Sequence, residues 1–447
     1  MYSQNAFVID NISIEGNKKT KDYIILNEIN MKIGDSVNIT EIDRVFDKNK
    51  KRLRSTGLFV DVDFNIKTLD VENQTIDINC KVVESWYLYP YLIFEFVDRN
   101  INEWIYEHNA SLKRINLGID LQHKNITGNR DLIDMKFQFG MIRKLELTYL
   151  RPYFNKNTKF GFFFNVLEKK STEISYNTFN NKLLRYFDEG NVLLTQYRGS
   201  FGIIYHPDIY NKHFISVYYN SNAIKPYVLE ELNSDFLSDK IKQRYITLDY
   251  TYSYDKRDFK IYPNKRYYLE AELTQSGIGF FDDLSLLIAR SKIEKYFQLS
   301  KNIFSGFKLE GKKTLYSHGA GYINNIALGY DENYLNGYEL YVIDGEDYVT
   351  LKTSHKVFLF KGKANLSKWI KISQFKFIPY DFYLSLNADC GYVNNNTNFV
   401  FNNFTNRWLY GYGLSLDALI YHNLFKISYG INHTGAGGFY FHFVNNI

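Results

Sequence analysis

Apolar and polar residues alternate with a period of two through most of this chain. Residues 382–391 show it fully: the apolar set is Phe382, Leu384, Leu386, Ala388 and Cys390, and the polar or small set is Ser385, Asn387, Asp389 and Gly391. The same pattern recurs in residues 115–123, 131–139, 246–254 and 410–417. Because successive side chains of a strand point to opposite faces, the pattern predicts strands with one apolar and one polar face.

Residues 6–85 follow a different pattern. A short strand comes first, and helices are predicted near residues 20–29 and 40–57. Two strands, over residues 58–67 and 74–84, complete the region. The order β-α-α-β-β predicts one small α+β domain at the start of the chain.

Residues 86–447 show no helical periodicity, and their alternation predicts about 16 antiparallel strands. One of these is a long strand from 158 to 180, and the longest connection, residues 317–346, precedes the last five strands. A soluble β-sandwich would show the same alternation. However, aromatic residues make up 18% of the chain, and so many outward Tyr and Phe side chains would leave a soluble protein with large exposed apolar patches. We therefore predict an all-β transmembrane barrel, with lipid on the apolar face and a wet lumen on the polar face.

Composition argues against several other classes of function. The 54 basic and 49 acidic residues nearly balance, at a net charge of +5, which gives no reason to expect nucleic-acid binding. The 9 His residues are scattered without a metal-ligand spacing, and no Gly-x-Ser-x-Gly motif occurs. We therefore expect no enzymatic activity, no metal and no cofactor. Residues 1–5 do not begin a basic and then apolar leader. If the chain is an outer-membrane barrel, we expect that a signal peptide has been removed from this sequence.

Four short motifs in the barrel region supply the candidate functional residues. They are a turn in the long connection (Leu335, Asn336, Gly337, Tyr338 and Glu339), an Asp-x-Gly strand motif (Asp389 and Gly391), a charged strand end (Asp255, Arg257 and Asp258) and a terminal aromatic motif (Gly438, Phe441 and Phe443). By itself the turn is an ordinary surface loop. Asp255 and Arg257 could equally form a structural ion pair on a barrel wall or a functional one.

The order and spacing of these motifs resemble those of the BamA/TamA superfamily of outer-membrane assembly and translocation proteins, the bacterial surface antigen family. Its members carry periplasmic POTRA domains followed by a sixteen-stranded barrel. The resemblance implies that residues 6–85 are one POTRA domain in the periplasm, so that the chain is a short form of the family. It also implies that residues 86–447 form the outer-membrane barrel, with residues 317–346 folding back into the lumen.

The resemblance further implies a partner for the loop tip. In the family, a Val-Arg-Gly-Phe/Tyr tip places its Arg against the Asp of the Asp-x-Gly motif, which corresponds here to Asp389. This chain has Asn336 at the Arg position. An Asn side chain can donate a hydrogen bond to Asp389 but cannot neutralise its charge. The motif at Gly438, Phe441 and Phe443 resembles the carboxy-terminal β-signal that assembly machinery recognises.

Three functions are compatible with this interpretation. The first is help in the assembly of outer-membrane proteins, by a specialised or accessory member, through a weak seam between the first and last barrel strands. Pro90 in the first strand would weaken that seam, because proline lacks a ladder donor. The second is a dedicated polypeptide translocation pore, and the third is a structural barrel within a larger assembly complex. The expected partners are the outer-membrane lipid bilayer, unfolded outer-membrane protein clients, and periplasmic or lipoprotein partners of the POTRA domain.

Overall fold

The structure, a computed structural model, describes residues 6–154, 159–281, 283–330, 333–365, 377–396, 402–420 and 423–444. The amino-terminal part is a four-stranded sheet with two helices. Its elements are β1 (Ala6–Glu15), α1 (Asp22–Glu28), β2 (Ser36–Asn38), α2 (Ile42–Ser55), β3 (Phe59–Asp70) and β4 (Thr75–Glu84). The strand order is β2-β1-β4-β3, so β3 forms one edge. Strand β2 was missed because three residues are too few to show alternation.

Packing of α2 on this sheet follows from its apolar stripe. Ile42, Phe46 and Leu53 recur at helical spacing on the face that points to the sheet, and all three are buried. The helix ends where the sequence predicts, because Gly57 adopts a φ of +71°, a conformation that glycine takes without strain.

The rest of the described chain is dominated by one antiparallel sheet of 16 strands, which confirms the predicted barrel. Its strands are β5 (Leu88–Phe96), β6 (Ile115–Lys124), β7 (Leu132–Phe139), β8 (Ile142–Arg151), β9 (Phe160–Ser171), β12 (Leu194–Tyr205), β13 (Asn211–Ile224), β14 (Lys242–Asp255), β15 (Arg266–Ser276), β16 (Ser285–Gln298), β17 (Ile303–His318), β20 (Asp347–Asn365), β21 (Phe377–Asn394), β22 (Trp408–Ile420), β23 (Asn423–Asn432) and β24 (Gly437–Val444). Two small hairpins lie in its connections: β10 (Glu173–Phe179) with β11 (Lys182–Phe187), and β18 (Ile326–Leu328) with β19 (Ile343–Asp344).

Two details of the barrel region differ from the prediction. The predicted long strand from 158 to 180 is wrong, because the chain leaves the barrel after Ser171 and enters the separate β10–β11 hairpin. A hairpin alternates like the strand before it, so the period alone does not reveal the change of sheet. A short helix, α3 (Ile101–Tyr106), lies in the first long connection, and its six residues are too few to show a helical period.

The two faces of the barrel wall separate as the alternation predicts. On β21, Leu384 and Leu386 are 40% and 56% exposed, whereas Ser385 and Asn387 are 0% and 4% exposed. The apolar residues point outward, on the face predicted to contact lipid, and the polar residues line the interior. No helix in the described ranges is both long enough and apolar enough to cross a bilayer.

Contacts with the amino-terminal sheet identify the two ends of the barrel. The Lys21 backbone N–H donates to Gly128 O at 3.0 Å, and Tyr153 Oη donates to a Glu28 carboxylate oxygen at 2.9 Å. The turns after β6 and β8 therefore lie at the amino-terminal domain's end. Because neighbouring strands run in opposite directions, the connections 97–114, 319–346 and 433–436 lie at the opposite end.

Candidate functional site

The predicted loop tip, Leu335 to Glu339, lies against the inner wall of the barrel. Leu335 and Tyr338 are 1% and 2% exposed and pack in one apolar cluster with Val393 and Leu409, which come from β21 and the start of β22. The long connection after β17 thus folds inward, and its most apolar residues become core.

Asn336 and Asp389 meet at this tip. The backbone N–H of Asn336 donates to Asp389 Oδ2 at 2.9 Å, and its side-chain Nδ2 donates to the same oxygen at 2.6 Å. Asp389 is buried on β21, so these bonds replace the water that the carboxylate has lost. The second residue of the strand motif, Gly391, leaves room for the tip, because a Cβ there would lie 3.1 Å from Leu335 Cδ1.

Lys352, a basic residue that the sequence analysis missed, lies on the strand next to Asp389 and makes no ion pair with it within 4.0 Å. Lys352 on β20 is the register partner of Asp389 on β21. Its ammonium donates to Tyr334 O at 2.6 Å, so it binds the loop while lying beside the acidic strand position. Lys352 shares its face with the buried residues Tyr348 and Thr350, and the period of β20 could have identified it as a lumen residue.

Backbone contact between tip and wall depends on Gly337 and Gly411. Gly337 has a φ of +80°, and its carbonyl accepts from Asn432 Nδ2 at 2.9 Å. A Cβ at residue 411 on β22 would lie 1.8 Å from the Asn336 carbonyl oxygen. A side chain at residue 411 therefore cannot coexist with this position of the tip.

Tyr338 fills the space between the tip and the last strands. Its ring centroid lies 5.3 Å from that of Phe404 and 6.0 Å from that of His433. Its hydroxyl donates to Tyr410 O at 3.3 Å. The phenol therefore joins apolar packing to a hydrogen bond with the wall, which is the usual arrangement of a buried tyrosine.

Glu339, the last residue of the tip, is aimed at the last strand. It is 1% exposed, and neither carboxylate oxygen makes a hydrogen bond among the described residues. His442 Nε2 on β24 lies 3.8 Å from its Oε1. Burial raises the pKa of the Glu339 carboxyl to about 8, which favours the neutral acid at this position.

The charged strand end is a turn-closing network. Arg257 donates to Asp255 through Nε at 3.0 Å and a terminal nitrogen at 2.8 Å, and its other terminal nitrogen donates to Glu294 at 2.8 Å. Asp258 Oδ1 accepts from the backbone N–H groups of residues 264 and 265 at 2.9 and 3.0 Å. These contacts fix the turn after β14, and they favour the structural alternative for Asp255 and Arg257.

The terminal aromatic motif forms β24. Gly438 is the register partner of Gly430 on β23, while Phe441 and Phe443 point outward and are exposed. Among the described residues, hydrogen-bonded ladders join every neighbouring pair of barrel strands from β24 round to β5, and none joins β24 to β5. The seam between the first and last strands is therefore unpaired in this structure.

The comparisons with known proteins bear on the fold. A family model described as "Surface antigen variable number repeat", the POTRA family, matches residues 7–85. No curated protein matches the sequence. BamA from Haemophilus ducreyi lacking POTRA domains 1–3 aligns with a TM-score of 0.60 at 14% identity, over 98% of this chain and 84% of that chain. CdiB from Acinetobacter baumannii gives 0.51 at 13% identity, over 98% and 73%, and CdiB from Escherichia coli gives 0.50 at 10% identity, over 99% and 91%.

These findings confirm the predicted resemblance. The chain has a POTRA domain at its amino-terminal end and the sixteen-stranded barrel fold of BamA and CdiB. Localisation in the outer membrane, with the POTRA domain in the periplasm, remains the expectation that follows from the family resemblance. With that orientation, the connections at the POTRA end would be periplasmic, and α3 and the long connection 319–346 would lie at the extracellular end.

Proposed function

We propose that this POTRA-bearing outer-membrane barrel assists the assembly of outer-membrane proteins by offering the unpaired edges of its seam to client strands. The unpaired seam carries the proposal. An open strand edge presents unsatisfied backbone groups, and such edges are ready templates for another strand. In lipid, those groups are especially costly to leave without partners.

The wall beside the seam supports this assignment. The loop tip binds β21 through Asp389 and β23 through Asn432, so the strands that lead to the seam are fixed from inside. At the same time Asn336 replaces the Arg of the family motif, which is consistent with a specialised or accessory member. Residues of the POTRA edge strand β3 offer a second strand edge, to periplasmic or lipoprotein partners.

A covalent staple across the seam tests the proposal in cells. The host is depleted of the native protein and complemented with a variant carrying Phe94→Cys and Phe441→Cys, in a background with Cys390→Ala. Burial raises the pKa of the remaining thiol, Cys80, to about 12, so it stays protonated and unreactive. We expect the oxidised variant to fail in complementation, with loss of the subset of barrel proteins that depend on this accessory member and with recovery after reduction.

The matched control carries the same two-cysteine change inside a ladder that is already formed. Leu414 and Tyr429 are register partners on β22 and β23 and both point outward. Oxidation of Leu414→Cys with Tyr429→Cys should leave complementation intact. Normal complementation by the oxidised seam variant, with the disulfide verified by gel mobility, would overturn the seam proposal.

Dedicated polypeptide translocation is the second candidate, and the fold similarity to CdiB supports it. The same proteomic experiment separates the two functions, because translocation predicts loss of one or a few exported proteins while other barrels persist. Conductance after removal of residues 317–346 gives a second criterion. A large open pore in that variant would support a lumen that the loop normally fills.

A further inference from the structure

Helix α3 lies against the free edge of β24. It follows directly after β5, in the first extracellular connection, yet its polar side chains reach the last strand of the barrel. Backbone groups at a strand edge need partners when the edge is not paired. On β24, part of that requirement is met by two side chains of α3.

Asn102 takes the place of a strand residue. Its Oδ1 accepts from the Phe441 backbone N–H at 2.7 Å, and its Nδ2 donates to the Phe441 carbonyl at 3.1 Å. A residue of a neighbouring antiparallel strand would exchange the same two bonds with Phe441. Asn102 is 0% exposed, so this contact is closed to water.

Tyr106 extends the contact by two residues along β24. Its hydroxyl donates to the Phe439 carbonyl at 2.8 Å, on the same edge that Asn102 uses at Phe441. Together the two side chains satisfy three backbone groups between Phe439 and Phe441. Any strand that pairs with β24 over these residues must displace them.

The position of α3 is fixed by its own termini and by ion pairs. Asn100 caps the helix, its Oδ1 accepting from the Glu103 backbone N–H at 2.9 Å. The Glu103 side chain pairs with Arg99 at 3.0 Å and with Arg185 of β11 at 2.7 Å. The β10–β11 hairpin, which the sequence analysis did not resolve, therefore holds the helix in place.

A nearby acidic cluster belongs to this anchor. Asp98, Glu103 and His108 bring three potential metal-ligand atoms within 4.8 Å of one another. However, Arg114 binds Asp98 through three hydrogen bonds of 2.8 to 3.1 Å, and Arg185 binds Glu103. The carboxylates are thus neutralised by guanidinium groups, and we assign the cluster to holding α3 rather than to a metal.

The same segment touches the loop tip. Asn100 Nδ2 donates to the Glu339 carbonyl at 2.9 Å, and an Arg99 terminal nitrogen donates to the carbonyls of Gly329 and Tyr341 at 2.6 and 3.1 Å. One short stretch of chain, residues 99–106, therefore joins the inward loop to the last strand. Movement of α3 away from β24 would strain or break these loop contacts.

We propose that α3 is an autoinhibitory latch that stands in for a paired strand on β24. While Asn102 and Tyr106 occupy the edge, β5 cannot form backbone hydrogen bonds with β24 over residues 439–441. An incoming client strand cannot pair with β24 there either. The biological role of this latch rests on the seam function proposed above. The competition of α3 and β5 for one strand edge can be measured in the purified protein, whatever the function in cells.

The test measures how fast the seam closes in the purified full chain in detergent micelles. The Phe94→Cys and Phe441→Cys pair, in the Cys390→Ala background, is oxidised and disulfide formation is followed by gel mobility. Adding Asn102→Leu removes two hydrogen bonds to Phe441 and should raise the rate of disulfide formation by roughly tenfold. Adding Tyr106→Phe instead removes one bond and should raise the rate by roughly threefold.

Controls make the outcome decisive. The Leu414→Cys and Tyr429→Cys pair lies within a formed ladder, so its oxidation rate should not respond to Asn102→Leu. If Asn102→Leu fails to give a folded barrel, as judged by heat-modifiable gel mobility, Tyr106→Phe decides the question, since Tyr106 is half exposed and keeps its ring. Unchanged seam rates in the folded variants overturn the latch. Failure of the cellular seam experiment would leave these rates untouched, so the two proposals can fail separately.

Discussion

Two junctions meet beside β24, and they are built in different ways. At the loop tip, Leu335 and Tyr338 are buried in an apolar cluster and the backbone at Asn336 touches Gly411. At the seam, no ladder joins β5 and β24 in the described chain, and the side chains of Asn102 and Tyr106 cover the edge.

The difference separates a fixed part of the molecule from a part that can exchange partners. Close-packed cores have few alternative arrangements, so a shift of the tip would disrupt many contacts at once. Each hydrogen bond to the β24 edge contributes about 1 kcal/mol net, and an incoming strand would replace it with an equivalent bond. The tip is therefore suited to holding the barrel wall in place, and the seam is suited to exchanging one strand partner for another.

The largest effect is expected at Gly411. A Cβ there would lie 1.8 Å from the Asn336 carbonyl oxygen, so Gly411→Ala should push the tip off the wall. We expect a loss of about 3 kcal/mol in the free energy of unfolding, measured by urea titration, because overpacking typically has this effect. The displaced loop should also become a site of limited proteolysis.

Gly199→Ala on β12 is the matched control for that substitution. A Cβ at residue 199 meets no atom within 4 Å, so its effect should stay within about 0.5 kcal/mol. Equal stabilities of the two variants would show that the tip is not tightly packed against the wall. The proposed difference between a fixed tip and an exchangeable seam would then be wrong.

Asp389 tests the polar half of the tip junction. Asp389→Ala leaves the Asn336 backbone N–H and Nδ2 without their acceptor and removes the negative charge beside Lys352. We expect a loss of about 2 kcal/mol in the free energy of unfolding, the usual effect of unsatisfied buried polar groups. Asp381→Ala, near the other end of the same strand, should have a much smaller effect, and equal losses in both variants would contradict the assigned role.

Glu339 links the tip to β24, and its titration gives a pH test. Its pKa is about 8 in the folded protein against an ordinary value of 4.5, so the unfolded chain releases this proton first. Wild-type stability should therefore fall relative to Glu339→Gln as pH rises from about 4.5 to 8, by up to about 1.4 kcal/mol per pH unit. Urea titrations of both proteins at pH 5, 6.5 and 8 measure the gap, and a constant gap would refute the buried neutral acid.

Much of the barrel could be predicted because alternation reports directly on two-sided strands. Leu384 and Leu386 lie outside and Ser385 and Asn387 inside, as their period requires. The β10–β11 hairpin and α3 escaped prediction for a physical reason. The β10–β11 hairpin keeps the two-residue alternation of the strand before it, so the alternation does not show where the chain leaves the barrel. The six residues of α3 are too few to show a helical period.

The candidate site was only partly accessible to sequence reasoning. The structure brings Asn336 to Asp389, as the family resemblance implies, while the functional role of the pair stays a prediction. The period of β20 could place Lys352 in the lumen, but its position opposite Asp389 depends on strand register. The contact of Asn102 with Phe441 joins residues far apart in the chain, and no local sequence pattern reports it.

The smallest effect is expected from Pro90 on β5, at the other side of the seam. Proline offers no backbone donor, so Pro90→Val restores one and suits the extended backbone of an edge strand. The free energy of unfolding should change by no more than about 0.5 kcal/mol, because α3 still occupies the β24 edge. Pro90→Val should raise the rate of disulfide formation across the seam clearly only in the Asn102→Leu background, beyond the rise that Asn102→Leu gives alone. If Pro90→Val alone raised the rate of disulfide formation as much as the double variant, β5 and not α3 would limit closure of the seam. The element that keeps the seam unpaired would then be Pro90 on β5 rather than α3 on β24.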